Sequence, residues 1–125
     1  MTRIYGTQLK GVADSSGDAV VKTQHIVSTI IHAVYVKYDS SSAAGTDVTV
    51  SDEFGQEILK LTSNNTSGMY YPRVKTTDNA GTDLVYAALG EKVHDKYVVN
   101  SKLTLTIADQ TEDKGVLVTV FGETL

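Results

Sequence analysis

The chain has no cysteine, no tryptophan, a single proline and three histidines. Without cysteine there is no disulfide scaffold, no thiolate zinc site and no thiol nucleophile. No apolar stretch approaches the roughly 18 residues that a membrane-spanning helix needs. The longest apolar-leaning run, Ile26 to Tyr38, is interrupted by Ser28, Thr29, His32 and Lys37. Cationic charge is also scarce. Eleven Lys and Arg stand against 15 Asp and Glu, for a net charge of -4. A nucleic-acid-binding face would need a clustered basic excess, so that class of partner is not expected. The first ten residues, MTRIYGTQLK, carry neither the apolar core nor the small-residue cleavage site of a secretory signal. The chain therefore reads as one made in the cytoplasm, with no membrane partner.

What is present points to β-structure. Valine and threonine contribute 16 residues each to a chain of 125, enough for one domain. Their branched Cβ atoms suit a pleated surface better than a helix. With so little proline, turns must rely on Gly, Asn, Asp and Ser. Apolar residues alternate in Ile30–Asp39, where Val34, Val36 and Tyr38 share one face, and in Lys102–Ala108, where Leu103, Leu105 and Ile107 do. Residues 46–51 and 56–62 flank Asp52-Glu53-Phe54-Gly55 and read as a hairpin. Further strands are expected at 19–27, 69–77, 97–99 and 115–121, with 84–89 either a strand or a helical turn. Pro72 places the 69–77 strand at an edge or splits it. The 115–121 segment is apolar on both faces in part, the mark of a strand central in a sheet or at a subunit contact. No stretch keeps a 3.6 period. The expected fold is all-β, an antiparallel two-sheet β-sandwich of jelly-roll or immunoglobulin-like type. It forms a single domain over 20–125, preceded by an extended N-terminal arm over 1–19. The arm holds few apolar anchors and ends in the polar cluster Asp14-Ser15-Ser16-Gly17-Asp18.

Catalytic chemistry finds little to work with. His25, His32 and His94 do not share a metal-ligand spacing. The acidic pairs Asp52-Glu53 and Glu112-Asp113 flank turns, where solvated carboxylates belong. Asp78-Asn79-Ala80-Gly81-Thr82-Asp83 has oxygen ligands but not the spacing or closing Glu of a calcium loop. No Gly-x-Ser-x-Gly elbow and no phosphate-cradling glycine motif occurs. Asn64-Asn65-Thr66 is most simply a turn. Tyr70-Tyr71 beside it offers a modest aromatic surface of the kind that stacks on sugars. The reading is a non-enzyme with no cofactor and no metal.

One stretch, His32 to Val74, reads HAVYVKYDSSSAAGTDVTVSDEFGQEILKLTSNNTSGMYYPRV. Its His-x-Val-Tyr strand, Thr-Asp-Val-Thr hairpin, Asn-Asn-Thr turn and Tyr-Pro-Arg strand resemble a group of small virion structural proteins of tailed bacteriophages. The later segments VHDKYVV, KLTLTIADQ and VLVTVFGE resemble that group's closing strands. The group is similar to auxiliary capsid proteins, the decoration or cement proteins that sit on assembled heads, often as trimers. The resemblance implies a β-sandwich that binds and stabilises the mature capsid, with the major capsid protein or another virion protein as partner. It implies a homo-oligomer, a trimer by preference, located in the virion. A tail, fibre or baseplate component is the alternative, as is a host- or glycan-binding β-sandwich module. The arm is the expected contact, with Arg3, Ile4, Tyr5 and Leu9 as its partner-binding residues. Removing residues 2–18 should then leave the domain folded.

Overall fold

The structure is a computed structural model and describes residues 3–85 and 92–125. Eleven strands run in chain order: β1 (Ile4–Val12), β2 (Ala19–Lys22), β3 (Val27–Tyr38), β4 (Asp47–Ser51), β5 (Glu57–Leu61), β6 (Gly68–Tyr70), β7 (Val74–Lys75), β8 (His94–Asp95), β9 (Val98–Ser101), β10 (Thr104–Ala108) and β11 (Gly115–Thr124). All named pairings are antiparallel, and the described residues contain no helix. One sheet has the order β1-β11-β3-β6, with β9 also on β3. A second has the order β2-β10-β4-β5, and β7 and β8 make a small separate pair. The all-β, antiparallel expectation is met, and one sheet curls into a half-barrel.

Residues of both large sheets contribute to one hydrophobic core. Ile31, Val34, Val36, Val116, Val118 and Val120 come from the first sheet, and Val48, Val50, Leu105 and Ile107 from the second. Full burial of one such side chain contributes about 1.5–3 kcal/mol. Central placement of β11 explains its sequence. It is flanked on both sides, by β1 from Ile4↔Glu123 to Val12↔Gly115 and by β3 from Val116↔Tyr38 to Thr124↔Thr29.

Two bulges correct the simple alternation. The β3–β11 register shifts between Phe121 and Gly122, which leaves His32 as an extra residue. The inward set therefore changes from Thr29 and Ile31 to Val34, Val36 and Tyr38. Gly122 sits at this break because a Cβ there would run into Thr29 Oγ1 and stand 2.8 Å from the carbonyl oxygen of Ile30. A second shift, between Val50 and Ser51, lets the consecutive residues Ile58 and Leu59 of β5 both face inward.

Several boundaries differ from expectation. The strand expected over 19–27 stops at Lys22, and residues 23–26 form a loop whose Thr23 Oγ1 donates to the carbonyl of His25 at 2.9 Å. The segment 69–77 breaks around Pro72, which has no N–H for a ladder, into β6 and β7 in different sheets. Of the 84–89 segment, Val85 bridges Lys92, and 86–89 lie outside the described residues. The largest correction concerns the N-terminal arm. Ile4–Val12 is not extended from the domain but lies on β11 over its whole length. Leu9 and Ala13 are buried, and their burial ties the segment down. Removing residues 2–18 would strip an edge strand from the core, not a loose arm.

At one end of the molecule a buried glutamine joins the loops. Gln110 Oε1 accepts from the amides of Ala43 and Thr111, both at 2.9 Å, and from Thr46 Oγ1 at 3.2 Å. Its Nε2 donates to Ser42 Oγ at 3.0 Å. Gln110→Leu would keep the volume but remove four hydrogen bonds at once and leave the part-buried Ala43 amide without its partner, so a loss of about 1–3 kcal/mol is expected. Urea unfolding of the two proteins measures it.

Tyr38 shows the opposite situation. Its hydroxyl is buried with no hydrogen-bond partner, and burial, aided by nearby Tyr70, pushes the phenol up to about 12. An unfolded tyrosine titrates near 10. Between about pH 10 and pH 12 the unfolded chain therefore releases this proton first, and stability falls as pH rises. Tyr38→Phe should keep or increase stability at neutral pH and should flatten that alkaline decline. Urea midpoints of both proteins from pH 9 to pH 12 test this; equal slopes would refute it.

Candidate functional site

An opening in the surface is lined by residues of both large sheets. β1 and β2 are connected through the 13–18 turn, and each is the edge of its own sheet. They come close at Gly11, where an added Cβ would lie 3.4 Å from Ala19 Cβ and from Val21 Cγ2 and 2.8 Å from Ile107 Cδ1. A larger residue here would have to displace the end of the Ile107 side chain. From this point toward Tyr5 on one strand and Lys22 on the other, a groove of about 580 Å³ opens. Leu9, Val21, Val27 and Val120 give it apolar walls, and Tyr5, Lys22, His25 and Ile26 are among its other lining residues.

Hydrogen-bond phase fixes which backbone groups are spoken for. The amide of Ala13 donates to the carbonyl of Lys114 at 3.0 Å, so in the β1–β11 ladder the odd-numbered residues of β1 point their backbone groups at β11. Ile4, Gly6, Gln8 and Lys10 then point theirs to the open side. On β2, the amide of Thr23 donates to the carbonyl of Leu103 at 2.9 Å, which leaves Val20 and Lys22 facing outward by the same rule. The groove is thus a seam between two unpaired strand edges.

The charges are unevenly placed. None of the sixteen residues that line the groove is Asp or Glu, whereas Lys10 and Lys22 are among them. The opposite end of the molecule is acidic. The loops around Asp14, Asp18, Asp109, Glu112 and Asp113 meet there, joined by hydrogen bonds from the amide of Gln110 to the carbonyl of Gly17 at 3.0 Å and from that of Asp113 to Ala13 at 3.1 Å.

Of the four residues expected to bind a partner, three are exposed at the groove end. Arg3 precedes β1, and Ile4 and Tyr5 are 61% and 52% exposed. Leu9 is 3% exposed and belongs to the core. Its side chain also forms part of the groove wall. Sequence reading missed the other wall. Ile26, 66% exposed, and His25 come from the loop after β2, far from β1 in sequence. The polar triplet Thr23-Gln24-His25 was the available signal, as a break in an otherwise apolar run.

The other candidate residues have structural roles. His32 Nε2 is 3.1 Å from Glu123 Oε1, and its carbonyl accepts from Arg73 Nη1 at 3.2 Å, so the bulge is held from two sides. His94 lies exposed in β8. Asp52 Oδ1 accepts from the amides of Phe54 and Gln56, and Asp78 Oδ1 from those of Ala80 and Thr82; both carboxylates brace turns. Asn64 Oδ1 accepts from the amide of Thr66 and Asn65 Nδ2 donates to the carbonyl of Ser42. Among the described residues, no group of three His, Cys, Asp or Glu is placed to hold a metal ion. No protein-family model, curated protein or solved structure matches the chain.

The division between core and surface residues on β1 is measurable. Leu9→Ala should lose about 2–4 kcal/mol of stability, while Ile4→Ser and Tyr5→Ser should each stay within about 0.5 kcal/mol of the parent. Thermal and urea unfolding distinguish these outcomes.

Proposed function

We propose that the chain is a non-enzymatic virion structural protein of a tailed bacteriophage, a β-sandwich that binds the mature capsid shell and stabilises it. The observation that carries this reading is the pair of exposed apolar side chains Tyr5 and Ile26 lining an open groove, with exposed Ile4 next to Tyr5 at the start of β1 and a group of acids at the far end. Large exposed apolar groups beside a groove are a recurrent mark of contact surfaces. The resemblance of residues 32–74 to virion proteins supports the choice of partner, the major capsid protein or a neighbouring virion protein. A domain of this size gains buried area by self-association, and a homotrimer on the shell would supply it.

The mechanism is differential binding. A protein that fits the expanded shell better than its precursor shifts the lattice toward the expanded state, by an amount set by the ratio of the two affinities. No bond is made or broken, and no cofactor takes part. The acidic end would face outward, where it limits nonspecific association with other acidic surfaces.

The purified protein should sediment as an oligomer and should co-sediment with expanded heads but not with precursor heads. Ile4→Asp combined with Ile26→Asp should reduce head occupancy at least tenfold without lowering the melting temperature by more than a few degrees. A monomer that ignores heads of either form would overturn the capsid reading and favour a tail or glycan partner.

A further inference from the structure

We propose that the seam between β1 and β2 receives an extended acidic segment of another protein chain, which adds as a strand to the free edge of β1. The proposal deepens the docking reading by naming what the groove holds, and it rests on that reading only for the choice of this end as a contact face.

The backbone supplies the first reason. Gly6, Gln8 and Lys10 present N–H and C=O groups away from β11, in the alternate phase that an incoming antiparallel or parallel strand requires. Long edges are normally blunted by prolines, charged side chains or a covering element. Here β1 has no proline and one charge, Lys10 toward its inner end, which leaves Tyr5 to Leu9 unguarded beside the groove. Gly6 adds no side chain to the approach.

The side chains supply the second. A strand laid on β1 turns alternate residues inward, against Leu9, Val21, Val27 and Val120. Its remaining residues face the rims, where Lys10, Lys22 and His25 stand with no carboxylate in the lining. In a chain with 15 Asp and Glu this exclusion selects against basic partners and favours acidic ones. A second copy of β1 is a poor occupant, since its strand carries Lys10 and no carboxylate and so offers no charge complement to the lining. The usable edge, from Tyr5 to Lys10, is about 20 Å long at roughly 3.3 Å per residue, which matches a segment of about six residues.

The test uses the whole protein and a labelled hexapeptide of alternating valine and glutamate, read by fluorescence anisotropy. The comparison peptide replaces glutamate with lysine. Two further peptides carry N-methyl groups on one or the other set of alternate amides. The acidic peptide should bind at least tenfold more tightly than the basic one. One N-methylated phase should lose binding at least tenfold and the other should keep it. Gln8→Pro should abolish binding while leaving the β1–β11 ladder intact, because the Gln8 amide faces the open side. Lys22→Glu should weaken the acidic peptide at least tenfold.

Equal binding of both N-methylated phases, or no binding of the acidic peptide to the folded parent protein, would overturn the proposal. If Gln8→Pro fails to fold, the N-methylated peptides answer the same question on the parent protein. Gln8→Pro that converts an oligomer to a monomer, together with no peptide binding, would assign the edge to a second copy and refute an acidic partner. Peptide capture without head binding upholds the seam and removes the capsid reading alone. Head binding without peptide capture removes the seam alone.

Discussion

The fold depends on β11 being paired on both sides. Among the described residues it is the one long strand with a full ladder to each neighbour, β1 on one side and β3 on the other. Val116, Val118 and Val120 pack inward from it, while Leu117 and Phe121 are half-buried on the other face. Ladder bonds and apolar burial therefore reinforce each other along a single segment. Because β11 also fixes the register of β1, it decides which β1 side chains are inside. Tyr5, Thr7 and Leu9 share the phase of Val120 and Val118, so they line the groove. A slip of one residue would invert that set and expose Leu9.

The groove follows from a mismatch in the same arrangement. Gly11 lets β1 and β2 meet at the end where the 13–18 turn joins them. β1 then continues on β11 for nine residues, whereas β2 ends after four and the chain leaves by the 23–26 loop. The two edges belong to different sheets and have no hydrogen-bonding reason to stay together. The opening is thus set by strand length and sheet membership, and no loop needs to move to create it.

Much of this was legible in the sequence, and the failures have identifiable causes. Alternation found the 34–38 half of β3, β4 and β10 because their inward residues obey a period of two, and the turn at Asp52-Glu53-Phe54-Gly55 added β5. The half-apolar outer face of 115–121 correctly implied a central strand. Bulges were invisible, because an extra residue at His32 or Ile58 changes phase without changing composition. The first strand was misread as an arm for a related reason. Ile4, Tyr5, Gly6, Thr7, Gln8, Leu9 and Lys10 show a weak alternation, since only Leu9 and Gly11 on that strand are buried. An edge strand at a sheet opening has one poorly covered face, and its sequence resembles that of a free terminus. The groove was illegible for a further reason. Its walls come from segments separated in sequence and brought together only by the assignment of β1 and β2 to different sheets.

That same ambiguity bears on what β1 does. A terminus selected only to remain unstructured would not need Leu9 in register with Val118, nor a glycine where β1 passes Ala19 and Val21. A strand selected only to close the core would not need its first two apolar residues, Ile4 and Tyr5, more than half exposed. β1 satisfies both demands along its length. Its second half is held by packing, through Leu9, Gly11 and Ala13, and its first half is held by ladder bonds alone. Ladder bonds at an edge contribute about 0.5–1.5 kcal/mol each, less than the burial of a leucine side chain gives. Stability therefore declines along β1 from Val12 toward Ile4. The exposed apolar groups lie on the less stable half, where a partner strand would add the covering that the domain itself does not provide.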